Sequence, residues 1–273
     1  MFDPILMDMM LLGWLGALGV GLSLALCGAG GSILAVPILV YLMGVPATDA
    51  TVYSLFIVGV TAAISAYSYY QKKLIDFPVA VAFIAPSLLS IELVRAWLLP
   101  IIPHVLYQSQ HWVLHRDTVI LLIFSIIMLA AARAMLRPSP SAVHSVAVRP
   151  WSKIMGQGLL LGCMVGLVGA GGGFLIVPAL VTWVGLSMAE SVGTSLLIIT
   201  INAMFGFAVG IQSGSEVDVA LILTFTALSL LGAWIGTRLA YRVNEKTLKI
   251  GFAYMIILIA VSMGLHSLWN LQI

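Results

Sequence analysis

One stretch of this chain is written twice. Gly28-Ala29-Gly30-Gly31-Ser32-Ile33-Leu34-Ala35-Val36-Pro37 returns 141 positions later as Gly169-Ala170-Gly171-Gly172-Gly173-Phe174-Leu175-Ile176-Val177-Pro178. Continued without a gap, the same offset pairs Gly44 with Gly185, Asp49 with Glu190, Ser54 with Ser195, Leu55 with Leu196 and Ala62 with Ala203, and gives 14 identities over the 39 positions from 28 to 66. The chain is therefore a duplicated unit. Each copy sets a glycine run inside a hydrophobic stretch, where backbone entropy and access to positive φ interrupt a helix. Paired interruptions at corresponding places are the sequence mark of a transporter binding site.

Composition says what surrounds those interruptions. Hydrophobic residues make up 62% and charged residues 8% of the 273, with mean hydropathy +1.14, against about 25% charged in soluble domains. This predicts an all-α, polytopic membrane protein. Eight apolar runs are long enough for helical spans, at about 9–27, 47–70, 77–99, 117–136, 154–170, 188–211, 217–239 and 248–268. Two shorter runs, 32–43 and 174–186, reach only about 18 Å of a core of roughly 30 Å and read as half-helices.

Basic residues cluster in three places: Lys72 and Lys73; Arg133, Arg137, Arg149 and Lys153; Arg238, Arg242, Lys246 and Lys249. Positive loops face the cytoplasm, and even numbers of crossings between them put all three on one side. Both termini then fall on the outer side of a bacterial inner membrane. The helix over 47–70 ends inside and its copy over 188–211 ends outside, so the reading is two inverted-topology repeats, residues 1–136 and 153–273, joined by a cytoplasmic linker over 137–152. The first apolar stretch leads directly into the glycine motif and lacks a basic leader region, so it reads as retained. A net charge of +2 without an aromatic-interleaved basic face excludes a nucleic-acid partner. Cys27 and Cys163 read as packing residues, and no cofactor or metal set is suggested. The loop from Pro100 to Arg116, with His104, His111, His115, Tyr107 and Trp112, reads as an interfacial aromatic belt.

Non-helical backbone at membrane depth must be buried in protein or line a polar cavity, so the glycine runs predict an interior cavity. The half-helix beginning after each run offers unpaired N–H groups carrying about half a positive charge. Glycine amides can curl into an anion nest, and a helix N-terminus needs no lysine to hold an oxyanion. Gly28, Ala29, Gly30, Gly31 and Ser32, with Gly169, Ala170, Gly171, Gly172 and Gly173, are the candidate anion ligands; tight helix packing is the competing use of such glycines. Pro37 and Pro178 stand inside the half-helices, where kinks are the simplest account. Ser54, Thr61, Ser195 and Asn202 are added as substrate contacts, each pair seven apart on one helix face, with interhelical hydrogen bonding as the alternative. Asp49 and Glu190 open the next helix of each half and suit either capping or proton coupling. Glu92 and Arg95 are opposed charges within a span, fitting either a structural ion pair or a gating role.

The doubled Gly-Ala-Gly-Gly motif with its following Pro37 and Pro178, and the Ser54-Leu55 and Ser195-Leu196 pairs downstream, resemble the TauE/SafE sulfite exporter family over essentially the whole chain. Ser32 departs from the longer glycine run of the second copy, where Gly173 stands. The resemblance implies a permease with about eight spans that moves sulfite, sulfoacetate or related small sulfur-containing anions, usually outward. No nucleotide-binding loop is seen, so an ion gradient, H+ or Na+, is the expected source of energy. The expectation is thus a secondary transporter, not an enzyme, with lipid and a small oxyanion as its partners; an anion channel or an uptake carrier could be lined by the same residues.

Overall fold

The computed structural model describes residues 4–28, 30–98, 101–103, 105–108, 113–136, 151–168, 175–212, 218–240 and 242–269. Among them the chain forms α1 (Pro4–Cys27), α2 (Gly30–Pro37), α3 (Ala47–Gln71), α4 (Phe77–Leu93), β1 (Val105–Gln108), β2 (Val113–His115), α5 (Arg116–Leu136), α6 (Trp151–Val168), α7 (Ile176–Ala179), α8 (Met188–Gln212), α9 (Val219–Ala240) and α10 (Glu245–Trp269). Where the eight apolar runs fall within the described residues they are almost wholly helical. Four helical segments, Met10–Cys27, Asp49–Gln71, Met188–Ile211 and Val219–Ala240, are long and apolar enough to cross a membrane by themselves. The expected span over 77–99 is shorter: α4 has 17 residues, about 26 Å, before the backbone widens into a π-turn at Val94–Leu98. The architecture is all-helical, with one short ribbon added to it. β1 and β2 pair antiparallel inside the loop read as an aromatic belt, with Tyr107 opposite Leu114 and Gln108 opposite Val113. The linker from 137 to 150 lies outside the described residues.

Both half-helices end in the same way, as their shared sequence requires. After Pro37 and Pro178, which cannot donate to the helical ladder, each continues as a π-turn, Ile38–Leu42 and Leu180–Val184. Val45 N–H then closes on the Leu39 carbonyl at 3.0 Å and Leu186 N–H on Leu180 at 3.2 Å. Between donor and acceptor, Gly44 (φ +70°) and Gly185 (φ +78°) occupy the left-handed region, which a side chain would strain.

The halves are interleaved, and glycine contacts fix how. Along the α3–α8 pair Gly210 meets Val52, Gly206 meets Leu55, Met204 meets Gly59 and Gly193 meets Tyr69. Numbers rise on one helix as they fall on the other, so α3 and α8, copies of one another, pack antiparallel. In contrast, α1 runs parallel to α9, with Leu18 at Gly232, Gly21 at Ser229 and Leu22 at Gly236, and α4 runs parallel to α6, with Phe83 at Gly158 and Ser87 at Gly162. These two pairs are also copies of each other. The small residues bring backbones together, as lipid-embedded helices need when no hydrophobic drive separates protein from solvent. A further pair, α5 with α10, is joined by Ser125 Oγ donating to the Ala260 carbonyl at 2.6 Å.

Polarity runs inside out relative to a soluble domain. Ser54, Thr61, Ser191, Thr194, Ser195 and Ser229 are fully buried, whereas Leu15, Val81, Ile126, Leu258 and Leu265 stand more than 60% exposed. An apolar outer surface of this extent marks contact with lipid.

Candidate functional site

The first glycine break is closed by the second half of the chain. α1 ends as Gly28 turns to φ +76° and its N–H reaches back to the Leu24 carbonyl at 2.7 Å, the left-handed cap that glycine supplies. The Gly28 carbonyl accepts a hydrogen bond from Ser195 Oγ of α8 at 3.1 Å. A Cβ on Gly28 would lie 2.6 Å from that oxygen and 3.0 Å from both Val177 of α7 and Val192 of α8. The break of one half therefore touches both the half-helix and the long helix of the other. Around the Gly28 α-carbon this conformation is closely packed, in place of the open cavity expected from sequence.

α2 then starts at Gly30 and folds back along α1. Gly31 faces Val20 and Leu24, so this glycine serves helix packing, the alternative weighed for the motif. The side chain of Ser32, with Ala29 and the whole of Gly169, Ala170, Gly171, Gly172 and Gly173, lies outside the described residues. Tyr69, which the sequence reading did not single out, secures the end of α1 by donating from its hydroxyl to the Ala25 carbonyl at 3.0 Å.

The paired hydroxyl positions behave alike where helix geometry governs them and differ where partners do. Ser54 Oγ donates to Thr51 at 2.8 Å and Ser195 Oγ reaches Val192 at 2.9 Å, the same i−3 bond in each copy. Thr61 and Asn202, equivalent by the repeat, lie near the centre of the antiparallel α3–α8 crossing. Asn202 pairs with Ser87 of α4, Nδ2 to Oγ at 3.3 Å. Thr61 is fully buried and its Oγ1 has no hydrogen-bond partner among the described residues.

A reciprocal contact ties the halves at either end. Asp76 caps α4 by accepting from Val79 N–H at 3.1 Å, and its own N–H donates to Thr194 Oγ1 of α8 at 3.0 Å. Asp218 caps α9 by accepting from Leu221 N–H at 3.0 Å, and its N–H donates to the Tyr53 hydroxyl of α3 at 2.8 Å. Tyr53 and Thr194 are 141 apart. Each half thus anchors the other's helix start through the same position. The signal was present in the repeat alignment, but a Tyr aligned with a Thr is easily passed over.

Of the acidic candidates, Glu190 acts as a helix cap. Ser187 N–H donates to Glu190 Oε2 at 3.1 Å and Glu190 N–H to Ser187 Oγ at 3.2 Å, a capping box. Asp49 stands in the first turn of α3, where the helix dipole favours a carboxylate. Glu92 is exposed near the end of α4, and the side chain of Arg95 is outside the described residues. Among the described residues no three His, Cys, Asp or Glu side chains gather as a metal set.

A family model described as Sulfite exporter TauE/SafE matches residues 13–263. The chain belongs to the TauE/SafE family. It is 28% identical over 258 residues to a "Probable membrane transporter protein" of Xylella fastidiosa, covering 92% of each chain. A "Probable membrane transporter protein YdhB" of Bacillus subtilis is 25% identical over 232 residues, 84% of this chain and 89% of that one. A shorter match, 28% over 151 residues, joins it to a "Probable membrane transporter protein" of Haemophilus influenzae, with 51% of this chain and 56% of the relative covered. As a TauE/SafE protein the chain is a membrane transporter. Both glycine breaks fall inside the matched region.

Proposed function

We propose that this transporter is a secondary carrier that exports small sulfur-containing anions, sulfite or an organosulfonate, across a bacterial inner membrane. The contact of Gly28 with Ser195 and Val177 carries this reading, since it brings one helix interruption against the half-helix and long helix of the other copy. On this reading the donors to the anion are the amides that open α2, from Gly30 to Ser32, with those of Gly169 to Gly173 as their counterparts by the repeat, since a helix start holds an anion without a fixed cation. Ser54 and Thr61 of α3, with Asn202 of α8, are the side chains proposed to complete the anion's contacts. The two repeats, residues 1–136 and 153–273, lie in inverted orientation with both termini outside, in keeping with the antiparallel course of α3 and α8.

The close packing at Gly28 fits a conformation in which this break is shut. Rocking one helix set against the other would part Gly28 from Ser195 and open it, in the manner of alternating access. Glu190 is engaged in capping, which leaves Asp49, Glu92 and Arg95 as charged groups for gating.

Reconstituted in liposomes loaded with sulfite, the wild type is expected to show saturable efflux that depends on a counter-ion gradient. Gly30→Leu and Gly171→Leu should each abolish that flux while the protein remains folded. Wild-type flux in either variant would remove the glycine breaks from the mechanism, and flux that does not saturate would make the protein a channel.

A further inference from the structure

The first break holds more buried oxygens than hydrogens to share among them. Ser195 Oγ lies 3.1 Å from the Gly28 carbonyl oxygen and 2.9 Å from that of Val192, yet a hydroxyl has one proton to give. Shared between the two carbonyls, that one proton satisfies each only in part, a weak arrangement for buried oxygens. One turn earlier on the same face of α8 stands Ser191, fully buried, whose Oγ has no hydrogen-bond partner among the described residues; residues four apart share a helix face. α1 also ends here, and a helix C-terminus carries partial negative charge.

We infer that the Gly28 carbonyl, Ser195 Oγ and Ser191 Oγ form a binding site for a monovalent cation, sodium, on the carbonyl side of the break. Its ligands are uncharged oxygens, which suits a single positive charge. Asp76, which reaches α8 through Thr194, turns its carboxylate to the Val79 amide. Ser195 Oγ and the Gly28 oxygen stand only 3.1 Å apart, a separation that two ligands of a small cation keep more readily than two ligands of a large one, and this favours sodium over potassium. The repeat supplies one such site, because Ala50 stands where the second copy has Ser191. An ion at this place bridges α1 to α8 and so ties the break shut. That the ion drives transport rests on the carrier reading above; that it binds does not.

Thermal unfolding of the detergent-purified protein, free of anion substrate, tests the site as sodium chloride replaces choline chloride at constant ionic strength, with potassium chloride in parallel. A saturable rise in Tm is expected with sodium and a weaker one with potassium. Ser191→Ala and Ser195→Ala should each raise the half-saturating sodium concentration about tenfold or more, as loss of a supporting group does at other ion sites, and Ser191→Thr should restore it. Equal Tm in sodium and choline for the wild type, or an unchanged titration in Ser191→Ala, overturns the site. Sulfite is titrated separately. A sulfite shift without a sodium shift discards the cation and keeps the anion carrier; the reverse keeps the cation and discards the anion.

Discussion

The two copies of the repeat differ most at the ends of the α3–α8 seam. At one end Tyr69 packs on Gly193; at the other Val52 packs on Gly210. These four residues are two equivalent pairs, Val52 with Gly193 and Tyr69 with Gly210, so each end sets a large residue from one copy against a glycine from the other. The sizes are not matched. Tyr69 brings a ring and a hydroxyl that reaches the Ala25 carbonyl, and Gly193 sits beside the Leu74 backbone as well. Val52 brings only methyl groups to Gly210. A symmetric ancestral seam has become one tight end and one yielding end, which is the kind of inequality a carrier needs if its two faces are to open in turn.

The sharpest break of this comparison would come from adding a methyl group at each glycine. In Gly193→Ala the new Cβ presses on the Leu74 carbonyl and stands 3.0 Å from Tyr69 Cβ, so overpacking should cost about 1–3 kcal/mol and lower the Tm. Gly210→Ala meets only the methyl ends of Val52, at 3.0 and 3.2 Å, and rotation of that side chain should hold the loss below about 1 kcal/mol, helped by the better helix propensity of alanine. Equal losses in the two variants would show that the ends are alike.

A smaller effect separates the reciprocal anchors. Thr194→Val removes the acceptor for Asp76 N–H from a buried position, and a loss of about 1 kcal/mol is expected. Tyr53→Phe removes the acceptor for Asp218 N–H, but Asp218 is exposed, so water takes over and the measured loss in thermal unfolding should be less. The smallest difference concerns the acidic first turns. Glu190→Ala breaks a capping box and should cost about 1 kcal/mol, whereas Asp49→Ala should cost about 0.3–1 kcal/mol through the dipole alone. Parity between those two would mean that Asp49 has a partner as firm as Ser187.

Much of the fold was legible because the chain is written twice and the lipid demands long apolar helices. The positions of α1, α3, α8 and α9 and the half-helices after each glycine run follow from local rules. The β1–β2 ribbon was not foreseen, since its residues also fit an interfacial loop. The polar interior was legible in part. Gly28, Ser195 and the Thr61–Asn202 pair stood out as polar or glycine positions in an apolar setting. Ser87, Ser191, Tyr69 and Tyr53 did not, because a hydroxyl on a membrane helix is ordinary until its neighbour is known. Glu190 could be given two roles from sequence, and the position of Ser187 supplies the capping one.

By itself the sequence determined that this is a duplicated, helical membrane chain with an interruption in each half, because composition, periodicity and glycine placement act within a few residues of one another. The tertiary structure decided which helices meet. It set α3 against α8 in opposite directions, placed Gly28 under Ser195, and left the Thr61 and Ser191 hydroxyls without partners among the described residues. Such outcomes depend on contacts as remote as that of Gly28 with Ser195, 167 residues apart in the chain, and no local preference encodes a neighbour that only packing supplies.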